Sequence, residues 1–305
     1  MRIVFMGTPS ISAVCLQRLY EDGCEIVGVY TKPDTPKNRG MKIAISEVKT
    51  YALSVGLPVY QPVSFRDDAV VEELRQLKPD LILVVAYGKI LPQRVLDIPP
   101  LGCVNIHASI LPALRGSGPI QWAILNGLDE TGLTAMYMAA EMDAGDMIEV
   151  RKTAIDPMET SEELMARLAV IGAGLLSDTV RNIAAGTVTR TPQDASQATF
   201  APMLSKEMAP IDWSLSPRQI VDHVRGLIPW PVATAELDGK RFKIYRVEYT
   251  EKTTDQAPGT LLALTKKGLE VACGGGNVVC ITQLQAEGGK RMAAPDYFRG
   301  HPIKL

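Results

Sequence analysis

The chain has 305 residues, 46% of them hydrophobic and 22% charged, with a net charge of −2. These values fit a folded globular protein of one large domain or two, and they exclude a largely disordered chain. The apolar run Leu81–Ala86 is far too short to cross a bilayer, the start MRIVFMGTP lacks the apolar core of a secretion signal, and five cysteines without a CxxC pair argue against a disulfide framework or a zinc site, so a metal-free protein of the reducing cytoplasm is expected. Residues 1–204 carry 18 Lys+Arg against 23 Asp+Glu and residues 205–305 carry 14 against 11, which hints at two modules with different partners.

In chain order, MRIVFM followed by Gly7-Thr8-Pro9 predicts a buried strand feeding a helix over 10–22, with Val14, Leu16 and Leu19 as core contacts. Glu25–Thr31 predicts a second strand, 43–55 a helix, Pro58–Tyr60 a short strand, and Val70–Leu77 an amphipathic helix. LILVVA at 81–86 reads as a central parallel strand, and Cys103–His107 as the next. This alternation predicts an α/β fold with a doubly wound, mostly parallel, Rossmann-like sheet, whose ligands bind outside the carboxyl ends of the strands. A dinucleotide site is excluded, because Gly-Thr-Pro-Ser stands where G-x-G-x-x-G would be needed. The polar stretch around 194–206 reads as a linker. Beyond it come a helix over Ser216–Arg225 and five short strands, at 233–237, 241–249, 259–264, 269–272 and 278–284, which predict a C-terminal OB-like β-barrel. The expected division is 1–189, a linker over 190–207, and 208–305.

The chemistry-bearing stretch is GCVNIHASILPALRG at 102–116. Strand side chains alternate, so Asn105 and His107 share one face. An amide donates to an oxyanion, and a histidine donates or moves a proton. The pair read alone is equally compatible with a packed histidine beside a capping asparagine. In MDAGDM, a glycine between Asp143 and Asp146 fits a tight loop that carries a carboxylate toward a neighbouring strand end; solvated acids in an Asx-turn are the alternative.

In this order and spacing, Asn105, His107, Ser109 and Leu111-Pro112 followed by Asp143 resemble the folate-dependent formyltransferases. TKPD at 31–34, RGMK at 39–42, VVAYGKILP at 84–92, RGSGPIQWAI at 115–124, SKEMAPIDWS at 205–214 and PWP at 229–231 extend the resemblance over nearly the whole chain, toward the branch that uses a tRNA acceptor. The resemblance implies formyl transfer from 10-formyltetrahydrofolate to the amine of methionine on initiator tRNA. It implies Asn105 and His107 at the oxyanion, with Asp143 holding His107. It implies a folate site along Tyr87, Gly88, Ile90 and Leu91 and along Ser109, Ile110, Leu111 and Pro112. It also implies tRNA contacts from Lys37, Arg39 and Lys42 in the basic loop 32–42, from Arg115, and from the C-terminal domain, in a protein expected to act as a monomer away from membranes. A sugar-nucleotide formyltransferase or a formyl-folate hydrolase shares the Asn-His-Asp core and stands as the alternative. Three places depart from the family's usual pattern: Ala113-Leu114 for Arg-Trp, Ala144 for Thr, and Ala139 for an acid. They bear on substrate recognition rather than on the reaction type.

Overall fold

The computed structural model describes residues 1–37 and 42–305. Of the basic loop, Arg39 lies outside the described residues, as do the side chains of Lys37 and Lys42. The elements run β1 (Arg2–Gly7), α1 (Ser10–Glu21), β2 (Glu25–Tyr30), β3 (Thr35–Lys37), β4 (Lys42–Ala44), α2 (Glu47–Ser54), β5 (Val59–Tyr60), α3 (Asp68–Gln76), β6 (Leu81–Val85), α4 (Gln93–Leu96), β7 (Cys103–His107), α5 (Pro119–Leu125), β8 (Glu130–Tyr137), β9 (Met147–Ala154) and α6 (Ser161–Ala185). Then follow α7 (Pro217–Gly226), β10 (Ala233–Leu237), β11 (Lys240–Thr253), β12 (Leu261–Leu264), β13 (Leu269–Cys273), β14 (Asn277–Ala286), β15 (Met292–Ala293) and α8 (Ala294–Gly300).

The first unit holds a seven-stranded sheet in the order β5-β2-β1-β6-β7-β8-β9. From β5 to β7 the strands are parallel, and β8 runs antiparallel to β7. All five residues of β6 are buried, as a central strand covered on both faces requires. Leu16 and Leu19 of α1 are buried, whereas Val14 is only half-buried. The helix expected over 43–55 begins at Glu47: Ser46 caps it by accepting from the Lys49 N–H, and residues 42–44 pair with 35–37 as a hairpin instead. Helix α3 starts at the Asp67 cap and buries Val71 and Leu74.

The second unit carries an antiparallel sheet in the order β10-β11-β14-β13-β12, with β15 added to β14. An OB-like barrel was expected here; among the described residues no ladder joins the edge strands β10 and β12. Helix α7 opens with Pro217 behind a complete Ser216–Gln219 capping box and buries Ile220, Val221 and Val224.

The two compact units are interleaved along the chain. Residues 1–119, 131–153 and 165–202 form one, and 120–130, 154–164 and 203–305 the other. The polar residues 190–202, read from the sequence as linker, thus belong to the first unit. The two excursions, 120–130 and 154–164, are held within the second by apolar and polar contacts. Trp122, Leu125 and Met158 pack on its core. The buried Arg225 guanidinium donates to the Asp156 and Glu159 carbonyls at 3.0 and 2.9 Å. Arg218 donates to the Gly127 carbonyl at 2.8 Å and to Asp129 at 2.6 Å.

Candidate active site

The carboxyl ends of β1, β6 and β7 lie side by side, with Gly7 opposite Val85 and Asn105 opposite Val84. Two side chains tie the first turns together. Ser12 Oγ donates to the Val85 carbonyl at 2.6 Å, and Thr8 Oγ1 to the Tyr87 carbonyl at 3.1 Å. Beyond β6 the backbone turns sharply through Ala86 at φ +45 and Gly88 at φ +73. Left-handed backbone at an alanine is uncommon, and such residues concentrate at functional loops. Two other non-glycine residues with positive φ, Leu114 at +59 and Asp143 at +52, flank the same strand ends.

Asn105 and His107 project from one face of β7. Asn105 is half-buried, and among the described residues no group takes its side-chain amide. His107 is 6% exposed. Its Nε2 lies 2.9 Å from the Leu114 carbonyl oxygen, which can only accept, so this nitrogen carries a hydrogen. Its Nδ1 faces Asp143 Oδ2 at 3.6 Å. That carboxylate oxygen also accepts the Gly116 N–H at 2.9 Å. The MDAGDM loop comes this close because position 145 has no side chain: a Cβ there would lie on the Tyr137 carbonyl oxygen. The three expected catalytic residues are therefore brought together.

The expected folate residues divide. Ser109 is buried and donates to the Ala113 carbonyl at 2.6 Å, while the Ser109 carbonyl accepts from Thr134 Oγ1 at 2.7 Å. Thr134 Oγ1 also accepts the Leu111 N–H at 3.1 Å, so this buried hydroxyl of β8 fixes the 109–112 turn. Leu111 and Leu91 are buried, Ile110 and Pro112 half-buried, and Ile90 stands out at 84% exposed. Tyr87 is turned into the core against Phe65, with its hydroxyl unpartnered among the described residues and burial pushing its pKa up; it offers the site its backbone, not its ring. Beside this loop, burial and then the nearby Lys32 ammonium hold Lys89 below the usual lysine range. The Lys89 ammonium meets the Pro62 and Val63 carbonyls.

Arg115, expected on the tRNA, is only 4% exposed. Its Nε and Nη2 donate to Gln193 Oε1 at 3.2 and 2.9 Å, and its Nη1 lies 3.3 Å from Glu141 Oε1. Its backbone is laced to the 199–201 segment through the Arg115 N–H to the Thr199 carbonyl at 2.8 Å and the Ala201 N–H to the Arg115 carbonyl at 2.7 Å. Three residues of the site's frame went unnoticed in the sequence: Thr134, Gln193 and Thr199, whose Oγ1 accepts the Leu114 N–H at 2.9 Å. Gln193 and Thr199 sit in a stretch whose composition signals a linker, and Thr134 in a strand with six consecutive buried residues and so no alternation.

The amide, which has no partner among the described residues, and the histidine–carboxylate pair lie together at the carboxyl edge of a largely parallel sheet, where ligands bind in folds of this kind. The formyl transferase family matches residues 1–180, and the formyl transferase C-terminal domain matches residues 203–302. The chain belongs to the formyl transferase family. It is 47% identical to the methionyl-tRNA formyltransferase of Geotalea daltonii, over 99% of this chain and 96% of that protein. Against the methionyl-tRNA formyltransferase of Bacillus subtilis it is 44% identical, over 99% of this chain and 96% of that one. The fold is shared with an N-formyltransferase from Helicobacter canadensis, solved with folinic acid and dTDP-3-aminofucose, at a TM-score of 0.70 and 16% identity over 92% of this chain and 98% of that one. It is shared too with HypX from Aquifex aeolicus in complex with tetrahydrofolic acid, at a TM-score of 0.63 and 20% identity over 98% of this chain; the chain spans 47% of that larger protein.

Proposed function

We propose that the enzyme transfers the formyl group of 10-formyltetrahydrofolate to the free amine of methionyl initiator tRNA, giving N-formylmethionyl-tRNA in the bacterial cytoplasm. The observation that carries the reading is the unpartnered Asn105 amide beside the His107–Asp143 pair at 3.6 Å. Relatives at 44 to 47% identity over nearly the full length support the tRNA acceptor over an amino sugar or water.

The folate supplies an electrophilic formyl carbon. The backbone of 86–91 and of 109–112 would hold it, with the exposed Ile90 side chain offering apolar surface to a planar ring; the fixed turns and the spare Asn105 donor fit such a ligand. Asn105 donates its amide N–H to the formyl oxygen as negative charge gathers there, at no cost in broken protein hydrogen bonds. His107 stands beside it to take the proton that the attacking amine must lose and to return it to N10 of the folate as the N10–formyl bond breaks and tetrahydrofolate leaves. Its Nε2–H is committed to the Leu114 carbonyl, so Nδ1, facing Asp143, is the nitrogen free to accept. Asp143, fixed by the Gly116 N–H, holds the imidazole in register and neutralises it when protonated. No covalent intermediate with the protein is required.

Lys37, Arg39, Lys42 and the basic residues of 205–305 would grip tRNA phosphates, the support being their charge in the sequence. The test is formyl transfer from labelled 10-formyltetrahydrofolate to charged initiator tRNA, run against a dTDP-amino sugar and against water, with tRNA binding followed over a salt series. Transfer to Met-tRNA alone, with affinity falling as salt rises, is expected. Preferential formylation of the sugar, or release of formate without an acceptor, would overturn the reading.

A further inference from the structure

We propose that Gln193 is a positioning residue for the Asp143 carboxylate, oriented by the buried guanidinium of Arg115; this rests on the roles given above to Asn105, His107 and Asp143. Gln193 Nε2 donates to the Asp143 carbonyl and to the Gly145 carbonyl, both at 2.8 Å. Its Oε1 accepts from Arg115 Nε and Nη2. All four hydrogen-bonding positions of the amide are thus used. A side-chain amide can usually be turned end for end, but a guanidinium has donors only, so the end facing Arg115 must be the oxygen. Arg115 thereby decides which end of Gln193 meets the loop, and the NH2 group falls on the two carbonyls that flank Ala144.

The loop needs such a hold. Asp143 sits at φ +52, outside the favoured regions for a residue with a side chain, and Gly145 is pressed against the Tyr137 carbonyl. A strained segment stays in place only where its surroundings over-determine it. The 115–116 segment grips it twice: the Arg115 side chain acts on the Asp143 backbone through Gln193, and the Gly116 N–H holds the Asp143 carboxylate directly at 2.9 Å. Gln193 is itself fixed, because Thr191, two residues earlier, exchanges backbone hydrogen bonds with Met147 at 2.8 and 2.9 Å. The same bonds keep Arg115 from reaching a phosphate. Its backbone is laced to 199–201 and its guanidinium is held by Gln193, with the exposed Glu141 as its acidic partner among the described residues. Arg115 therefore serves the chemical step rather than tRNA affinity.

The isosteric Gln193→Glu separates these roles. The carboxylate still accepts from Arg115 but gives the loop no donors and sets an oxygen against two carbonyls. In the full-length enzyme, kcat is expected to fall about 10- to 100-fold, with KM for Met-tRNA and for 10-formyltetrahydrofolate within about threefold of wild type, the scale for displacing a catalytic group without removing it. Combined with Asp143→Asn, the loss should stay close to that of the more damaging single variant, because both act through one carboxylate. Arg115→Lys, with a point charge in place of a fork, should lower kcat by less and leave the salt dependence of tRNA binding unchanged. Additive losses in the double variant, or a raised KM for tRNA with kcat intact, would overturn the proposal. Should Gln193→Glu not fold, Gln193→Ala, which leaves room for water, is read by the same criteria. A wild type that formylates no Met-tRNA would instead sink the reading of the site itself, whatever the variants do.

Discussion

Replacing Asn105 with alanine should remove chemistry while leaving the fold almost untouched. The amide is half-buried on β7, and among the described residues it has no hydrogen-bond partner, so truncation orphans no protein group. Asparagine and alanine are both poor strand formers, and the ladder to Val84 and Met136 is made by backbone. The stability change should therefore stay below about 1 kcal/mol, or roughly 2–4 °C in Tm for a unit of this size. The kinetic loss should be far larger. Deleting one preorganised oxyanion donor costs about 10²- to 10³-fold in kcat, near 3–4 kcal/mol. His107→Ala makes the contrast. It empties a site that is 6% exposed and strips the Leu114 carbonyl of its donor, which together cost about 3 kcal/mol or more in stability besides the rate. The assay pairs steady-state formylation of Met-tRNA with thermal unfolding of each variant. If Asn105→Ala kept kcat within threefold of wild type, or melted many degrees lower, the amide would be a structural group and the assignment would fall.

Gly145→Ala should drive a methyl group onto the Tyr137 carbonyl, displace the loop that carries Asp143, and lower kcat by at least about tenfold while costing about 1–3 kcal/mol; wild-type turnover in that variant would refute the close approach. All three tryptophans, Trp122, Trp213 and Trp230, lie in the second unit, so their fluorescence reports its unfolding alone. By that probe Arg225→Ala should destabilise the unit by about 3 kcal/mol or more, since among the described residues it leaves the buried Asp222 carboxylate with Arg218 at 3.6 Å as its ionic partner and removes the guanidinium that donates to the Asp156 and Glu159 carbonyls; an unchanged urea midpoint would exclude this. Burial, opposed only in part by the Ala209 backbone, holds the His223 pKa below its ordinary value, and its Nε2 has no partner among the described residues. The unfolded chain takes up this proton near pH 6.5 and the folded unit only at lower pH. His223 therefore contributes stability in full above about pH 6.5, and that contribution is lost as pH falls through the depressed native value. His223→Gln should flatten the tryptophan-detected stability between pH 7.5 and 5.5, and a parallel decline in both proteins would show that other groups cause it.

The strands that carry the site were legible because short-range physics writes them into the chain. LILVVA is apolar without a break because a central parallel strand is covered on both faces, and period-two alternation alone puts Asn105 and His107 on one face. The Ser216-Pro217 start of α7 follows equally from local capping. The stretch 119–190 was harder: α6 mixes apolar and small residues so evenly that its helical period is blurred, and β8 shows no alternation because six of its eight residues are buried. In 190–202 the polar composition reads as linker, and within it Gln193 and Thr199 spend their polarity on carbonyls and N–H groups of the 114–116 and 143–145 loops. The interleaving of the two units, the burial of Arg115 and the inward turn of Tyr87 are likewise absent from any local pattern. Each depends on which distant segment supplies a hydrogen-bond partner or a packing surface, and a sequence lists the groups a residue can bond with but not which of them lies within 3 Å. Local periodicity thus determined the strands and the shared face of Asn105 and His107, and long-range packing decided what holds that pair still.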